Sequence, residues 1–131
     1  MQTLVNFFAQ FNDLYIKKKY EQAEFFYSKS NYKLLSLFLT YGILKKLQII
    51  KKNNIYKILV IFNYFDNKPL LSFIGVVSTG SLKVYKSVPQ LKLLLYKKQL
   101  VKYIISTSQG IFLAEDCVKK KIGGKVLGKF Y

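Results

Sequence analysis

The chain has 131 residues and a formal net charge of +16, and its 22 basic residues are all Lys because it contains neither Arg nor His. One Cys and six acidic residues are too few for a structural zinc site, a haem or iron–sulfur site, a His-based triad or a calcium site. This composition argues against an enzyme and predicts no metal or other cofactor.

The hydrophobic content argues against a disordered basic tail. Hydrophobic residues make up 51% of the chain, including 11 Tyr and 11 Phe, far more than disordered segments contain. The longest apolar run, residues 34–44, is shorter than the roughly 20 residues that a membrane-spanning helix needs. We therefore expect a small folded protein that makes no membrane contact.

The first 42 residues predict two helices. Apolar residues spaced by three and four predict a helix that ends near Lys17 to Lys19. Residues 20–29 are compatible with either a strand or another helical turn. Ser30 or Asn31 is the expected N-cap of a second helix, and Gly42 is expected to end it.

The pattern then changes to strands. Residues 47–51 and 55–65 are predicted strands around a turn at Asn53 and Asn54. The turn at residues 66–69 predicts a hairpin between strand 55–65 and residues 70–77. The later predicted elements are a turn at 78–81, a strand at 82–86, a helix at 90–98, a strand at 100–105, a polar loop at 106–110, a strand at 111–113, a helix at 114–121 and a strand at 125–131.

These elements predict an α+β fold of two small lobes. Residues 1–77 are expected to form N-terminal helices with a short sheet. Residues 78–131 are expected to form a mixed sheet with short helices, and the turn at 78–81 is the expected boundary.

The abundance of Lys among Tyr and hydroxyl side chains predicts nucleic-acid binding. Lys neutralises phosphates, Tyr stacks on unpaired bases, and Ser or Thr can bond phosphates, base edges or the RNA 2′-OH. Charge alone does not distinguish RNA from DNA. A non-specific nucleic-acid packaging protein that acts through its Lys surface is the alternative function.

The most specific local feature is the segment Ser106-Thr107-Ser108-Gln109-Gly110. Three consecutive hydroxyls followed by Gly can turn sharply and point several short donors and acceptors outward. An ordinary turn between two strands is the competing interpretation. A nucleophilic role for these hydroxyls lacks a His base, and Cys117 is expected to be a core residue.

Three segments of the sequence resemble the bacterial-type small-subunit ribosomal protein eight family. They are residues 74–86, residues 104–110, and residues 121–125. In that family these segments contain Val-Ser-x-Pro-Gly-Leu-Arg-Ile-Tyr, Ser-Thr-Ser-x-Gly and Gly-x-Gly-Gly-Glu. The Ser-Thr-Ser-x-Gly signature is matched in full. Lys83 stands where the family has Arg, and Lys121 and Lys125 stand where it has Gly and Glu.

The resemblance implies a structural protein that binds the central domain of small-subunit ribosomal RNA through its C-terminal lobe. It also implies that the N-terminal lobe touches a neighbouring RNA helix and other small-subunit ribosomal proteins, with no small-molecule substrate. The RNA-binding residues that we predict are Ser78, Lys83, Tyr85, Lys86, Ser106, Thr107, Ser108, Gln109 and Gly110.

The composition also suggests where the protein works. Phe, Tyr, Ile, Asn and Lys, which have AT-rich codons, are abundant, whereas the chain has 7 Gly, 2 Pro and no Arg. Residues 1–10 have no basic residue and lack the pattern of an imported transit peptide. We expect a mitochondrial ribosome and synthesis inside the organelle, with a plastid or a reduced-genome bacterium as alternatives.

Overall fold

The structure is a computed structural model that describes residues 4–78, 83–97 and 100–131. The described helices are α1 (Leu4–Phe11), α2 (Lys29–Thr40), α3 (Val88–Lys97) and α4 (Ala114–Lys120). The strands are β1 (Gln22–Phe26), β2 (Leu44–Lys52), β3 (Ile55–Phe62), β4 (Tyr64–Phe65), β5 (Lys68–Pro69), β6 (Ile74–Val76), β7 (Tyr85–Lys86), β8 (Lys102–Thr107), β9 (Gly110–Leu113) and β10 (Gly124–Phe130). The predicted α+β class is confirmed. None of the described helices is long and apolar enough to cross a membrane.

The first predicted helix ends where we expected, but only its first part is α-helical. After α1 the chain continues as a π-helical segment, Asn12–Lys17. Its wider turn is visible where the Lys18 N–H donates to the Asp13 carbonyl, five residues earlier, at 2.9 Å. The aromatic side chains of this stretch are fully buried on one side: Phe7, Phe8, Phe11 and Tyr15.

The chain between the first two helices forms β1, which resolves the ambiguity at residues 20–29. The N-cap of α2 is Ser28, so our prediction of Ser30 or Asn31 is wrong. Ser28 has an extended backbone, and its Oγ accepts the Asn31 N–H at 3.0 Å, which is the geometry of an N-cap. The helix ends before Gly42, as predicted, and Gly42 has φ +80.

The first sheet has the order β1-β3-β2. Its β2–β3 hairpin turns at Asn53 and Asn54 as predicted, and both residues have positive φ, as a tight type I′ turn requires. Phe25, Ile58 and Val60 lie on one face of this sheet and are buried against the N-terminal helices.

The predicted hairpin between strand 55–65 and residues 70–77 is wrong. Asp66 and Asn67, both with positive φ, instead join the two-residue strands β4 and β5. This ladder ends at Pro69, which has no N–H to extend it. β6 pairs with the last strand, β10, where its buried Ile74 joins the main core.

The second sheet has the order β6-β10-β8-β9, and β7 also pairs with β10. All the described pairs are antiparallel, so the mixed sheet that we expected is corrected to an antiparallel one. The predicted strand at 82–86 is limited to β7, and residues 79–82 of the predicted turn and strand lie outside the described residues. The strand predicted at 100–105 lies two residues later, at β8.

The centre of the second sheet is buried on both faces. Successive residues of a strand point to opposite faces, so Ile104 of β8 joins the core of the N-terminal helices while Ile105 packs with Leu91 of α3 and Cys117 of α4. The lobe boundary at residues 77 and 78 stays a prediction about how the chain is divided. In the structure, β6 of the expected first lobe pairs within the sheet of the second.

Tyr15 connects the N-terminal helix to the loops beyond β3. Its hydroxyl donates to the Asn63 carbonyl at 2.8 Å and accepts the Leu70 N–H at 2.8 Å. The hydroxyl of Tyr64, whose ring stacks on that of Tyr15, donates to the Tyr20 carbonyl at 2.6 Å. Burial raises the pKa of Tyr15 above its usual value and raises the pKa of Tyr64 to about 12.

Replacing Phe11 by Ala should lower the free energy of unfolding by about 3–5 kcal/mol, because the ring is fully buried among other rings and its loss leaves a cavity. Urea denaturation measures the change. Phe65→Ala is the matched control: this ring is 71% exposed, and its removal should change stability by no more than about 0.5 kcal/mol. Equal losses in the two variants would contradict the assignment of Phe11 to the core.

The raised pKa of Tyr64 predicts a loss of stability in base. The folded protein favours the neutral phenol, so this contribution is fully present below the unfolded pKa of about 10 and is lost as pH rises through about 12. Urea denaturation at several pH values in this window measures the free energy of unfolding. This free energy should fall less steeply with pH for Tyr64→Phe than for the parent chain. Identical slopes would mean that Tyr64 is not the titrating group.

Candidate nucleic-acid interface

The segment Ser106 to Gly110 forms the turn between β8 and β9. The Thr107 hydroxyl donates to the Gly110 carbonyl at 2.8 Å and accepts the Gln109 N–H at 3.1 Å. These two bonds close the turn and leave Ser108 and Gln109 exposed at its tip. The three hydroxyls therefore do not all point outward together, because Thr107 holds the turn that presents its neighbours.

Gly110 is required by the backbone of this turn. Its φ of +134 lies in a region that L side chains rarely adopt, and its position pairs with Thr107 across the β8–β9 ladder. The Gly at the end of the signature is thus explained by conformation and needs no direct role in binding.

Ser106 belongs to a row of side chains that crosses the second sheet. β10 runs between β7 and β8, and Lys125 is paired with Tyr85 on one side and with Ser106 on the other. Directly opposed residues of an antiparallel sheet share a face. The hydroxyl, the ammonium and the exposed phenol therefore lie on one face, and 65% of Tyr85 is open to solvent.

This row borders a cleft of about 890 Å³ between the second sheet and the β1–α2 connection. Ser106 and Lys125 line one side of the cleft, and Tyr27 and Ser28 line the other. The cleft thus connects the candidate site to the N-terminal part of the molecule.

The remaining predicted site residues divide into two groups. Lys83 is exposed and Lys86 is half-buried, and both flank Tyr85. Ser78 is 4% exposed, and its hydroxyl donates to the Val126 carbonyl and accepts the Val84 N–H at 2.9 Å. Ser78 therefore supports the β10 backbone, and its buried hydroxyl is not available for the RNA contact that we predicted.

Two glycines let the strands of the site approach each other. A Cβ on Gly124 would lie 2.3 Å from the Ser106 carbonyl oxygen, and one on Gly123 would lie 2.6 Å from the Lys86 carbonyl oxygen. Both atoms belong to backbone that cannot move aside without breaking the pairing. The Gly-Gly pair thus serves strand packing.

Lys125 was missed as a site residue by sequence reasoning. The sequence placed it after Gly-Gly at the start of a strand, but its neighbours Tyr85 and Ser106 are far away along the chain. Only the central position of β10 between β7 and β8 brings the three together.

Nothing in the described part of the chain gathers three or more His, Cys, Asp or Glu side chains that could hold a metal ion. Cys117 lies on the buried face of α4, in the core, as predicted. Burial, with the nearby carboxylates of Asp116 and Glu115, raises the pKa of its thiol to about 11, so the thiol is protonated at neutral pH.

Comparison with known proteins gives a consistent match. A family model described as "Ribosomal protein S8" matches residues 5–131. The chain is 35% identical over 100 residues to the small ribosomal subunit protein uS8 of Buchnera aphidicola, covering 76% of this chain and 75% of the relative. It is 38% identical over 72 residues to the mitochondrial protein uS8m of Acanthamoeba castellanii, covering 55% and 57%. It is 26% identical over 111 residues to uS8 of Wolinella succinogenes, covering 84% and 83%.

Replacing Lys121 by Gly should raise the free energy of unfolding by about 1 kcal/mol. Lys121 ends α4 in the left-handed conformation, with φ 59, where a side chain is strained and Gly is not. Urea denaturation provides the measurement. In the control, Lys119→Gly, Gly lies inside the helix and should lower stability by about 0.5–1 kcal/mol. If Lys121→Gly lowered the free energy of unfolding instead, the left-handed backbone of Lys121 would not be a source of strain.

Proposed function

The chain belongs to the ribosomal protein S8 family, and we propose that it is a non-catalytic structural component of a mitochondrial small ribosomal subunit. Its proposed ligand is the central domain of the small-subunit ribosomal RNA, and its proposed partners include neighbouring small-subunit proteins. The observation that carries this proposal is the β8–β9 turn, which two side-chain hydrogen bonds hold and which presents Ser108 and Gln109 at its exposed tip. The exposed ring of Tyr85 lies on the same sheet, across β10 from Ser106.

The shape of this surface suits the minor groove of an RNA helix. That groove is wide and shallow, and it displays 2′-hydroxyls and base edges to short side chains. Ser108 and Gln109 carry a hydroxyl and an amide at the tip of a turn that two side-chain hydrogen bonds hold in place. A preorganised turn loses little conformational entropy when it binds.

The Lys side chains have a different part in the proposed complex. Contacts to phosphate fix the position of a protein on RNA but do not read its sequence. Lys125, which is paired with Tyr85 across the sheet, and the exposed Lys83, two residues before Tyr85, are placed to make such contacts. Lys83, at a position where the family has Arg, acts as a point charge because an ammonium lacks the planar fork of a guanidinium.

The mitochondrial location rests on two observations. One relative is the mitochondrial uS8m of Acanthamoeba castellanii, while others are bacterial. The absence of Arg and the abundance of Lys, Asn, Ile, Phe and Tyr fit a strongly AT-rich genome. Sedimentation of the tagged protein with small subunits from purified mitochondria tests the location directly, and its absence from that fraction would count against it.

We expect Ser108→Glu to weaken binding to the central-domain hairpin by at least tenfold, since a bulky anion would face the phosphate-lined groove. The parent chain should prefer this hairpin over a scrambled one of equal length by roughly a thousandfold or more. Titrations of both hairpins over a salt series measure the two affinities and their ratio.

Ser72→Glu is the matched control because it makes the same charge change near the opposite end of β10, where the backbone N–H of the exposed Ser72 donates to the Tyr131 carbonyl at 2.7 Å. It should leave the preference for the cognate hairpin unchanged. Equal, steeply salt-dependent binding of both hairpins by the parent chain would refute the proposed site. That result would favour non-specific packaging through the Lys surface.

A further inference from the structure

We propose that a second surface, formed by Tyr27, Tyr32 and Tyr56, binds an unpaired RNA segment by stacking bases on its rings. We call this surface the tyrosine patch. It goes beyond the proposed function because it lies on the first sheet and α2, and because it takes unpaired RNA where the β8–β9 turn takes a helix.

The backbone holds the patch in a defined shape. The Tyr27 N–H donates to the Tyr56 carbonyl at 3.2 Å, which extends the β1–β3 ladder by one pair. This pairing places both rings on one face of the sheet, opposite to Phe26 and Lys57. The Tyr32 N–H donates to the Ser28 carbonyl at 2.9 Å, and the rings of Tyr27 and Tyr32 have centroids 6.3 Å apart.

The three rings are exposed although the patch adjoins the buried core. Tyr27 is 43% exposed, Tyr32 is 38% exposed and Tyr56 is 55% exposed. The preceding residue on the same face of β1, Phe25, is buried in the main core. The patch therefore begins where the hairpin extends past the core, and its rings offer apolar area at a small cost in side-chain entropy, because Tyr has only two χ angles.

The charge around the patch favours a polyanion. The Lys51 ammonium lies 5.5 Å from the centre of the Tyr56 ring, and Lys29 and Lys33 are exposed in the first turns of α2. Residues 22–62 contain one acidic residue, Glu24. Glu24 lies on the other face of the sheet, where it bonds Lys52 and pairs with Lys57 at 3.8 Å. An anionic ligand at the rings thus meets only cations from this part of the chain.

Unpaired RNA is the polyanion that can bind both the exposed Tyr rings and the Lys side chains around them. Bases in a duplex are stacked on each other and hide their faces, whereas unpaired bases can stack on aromatic rings. Such stacking tolerates any sequence because every base has a π-face. The cleft described above is lined by Tyr27 of the patch and by Ser106 and Lys125 of the second sheet, so the two surfaces border the same cleft.

The test compares two RNAs with the full chain: an eight-nucleotide oligoadenylate, and the central-domain hairpin made blunt-ended and with its loop replaced by a non-nucleotide linker, so that it has no unpaired loop bases. The double variant Tyr27→Leu/Tyr56→Leu keeps apolar bulk but removes two rings. It should weaken binding to the oligoadenylate by at least tenfold over a salt series and change hairpin affinity by less than about twofold. Tyr96→Leu is the matched control, because this exposed Tyr lies on α3, and it should alter neither affinity.

The two RNAs separate this inference from the proposed function. Loss of oligoadenylate binding in the double variant supports the patch whether or not the hairpin is bound specifically. Unchanged oligoadenylate affinity overturns the patch. If the double variant binds RNA normally but fails to retain a neighbouring protein in reconstituted subunits, the surface is a protein contact and the RNA assignment is overturned.

A crosslinking measurement on the unmodified chain does not depend on how the variants fold. Oligoadenylate with one 4-thiouridine at its centre, irradiated with the full chain, should crosslink to peptides that contain Tyr27, Tyr32 or Tyr56. Crosslinks found only at peptides outside the patch would overturn the proposal.

Discussion

Antiparallel pairing of β10 with β6, β7 and β8 is the interaction on which the second half of the structure depends. A buried strand must satisfy its backbone donors and acceptors, and β10 does so on both edges. The pairing places Val126 under α3 and α4, and Leu127 and Phe130 in the core of the N-terminal helices. The last strand thereby joins parts of the chain that are more than 50 residues apart.

A cluster of aromatic rings complements this pairing in the first half. Phe11 lies in ring contact with Phe25, Phe38 and Phe62, at centroid distances between 4.8 and 6.0 Å. A chain with a charge of +16 repels itself when it is compact, so it needs a large apolar gain to fold. The burial of these rings supplies that gain, and the Lys side chains stay at the surface, where phosphates can neutralise them.

The surface left after folding carries exposed hydroxyl, amide, phenol and ammonium groups around the β8–β9 turn and β7. The Thr107 hydroxyl holds the β8–β9 turn, and the Ser78 hydroxyl donates to the β10 backbone. Two of the hydroxyls that we predicted to bind RNA therefore stabilise the fold. The groups that remain available are Ser108, Gln109, Tyr85 and the Lys side chains around them. Lys121 shows that the chain also tolerates a strained residue close to this surface, at the end of α4.

Local patterns in the sequence determined the helices, the Asn53-Asn54 turn, the signature turn and the α+β class, because each depends on residues within one or two turns of each other. Tertiary structure decided the partner of β6, the burial of Ser78 and the position of Lys125 between Tyr85 and Ser106. These features depend on which strands pair although they are far apart in the sequence. Alternation of apolar residues predicts a strand but does not predict the strand with which it pairs. The N-cap at Ser28 was also decided there, because β1 ends at Phe26 and α2 starts as soon as the chain leaves the sheet.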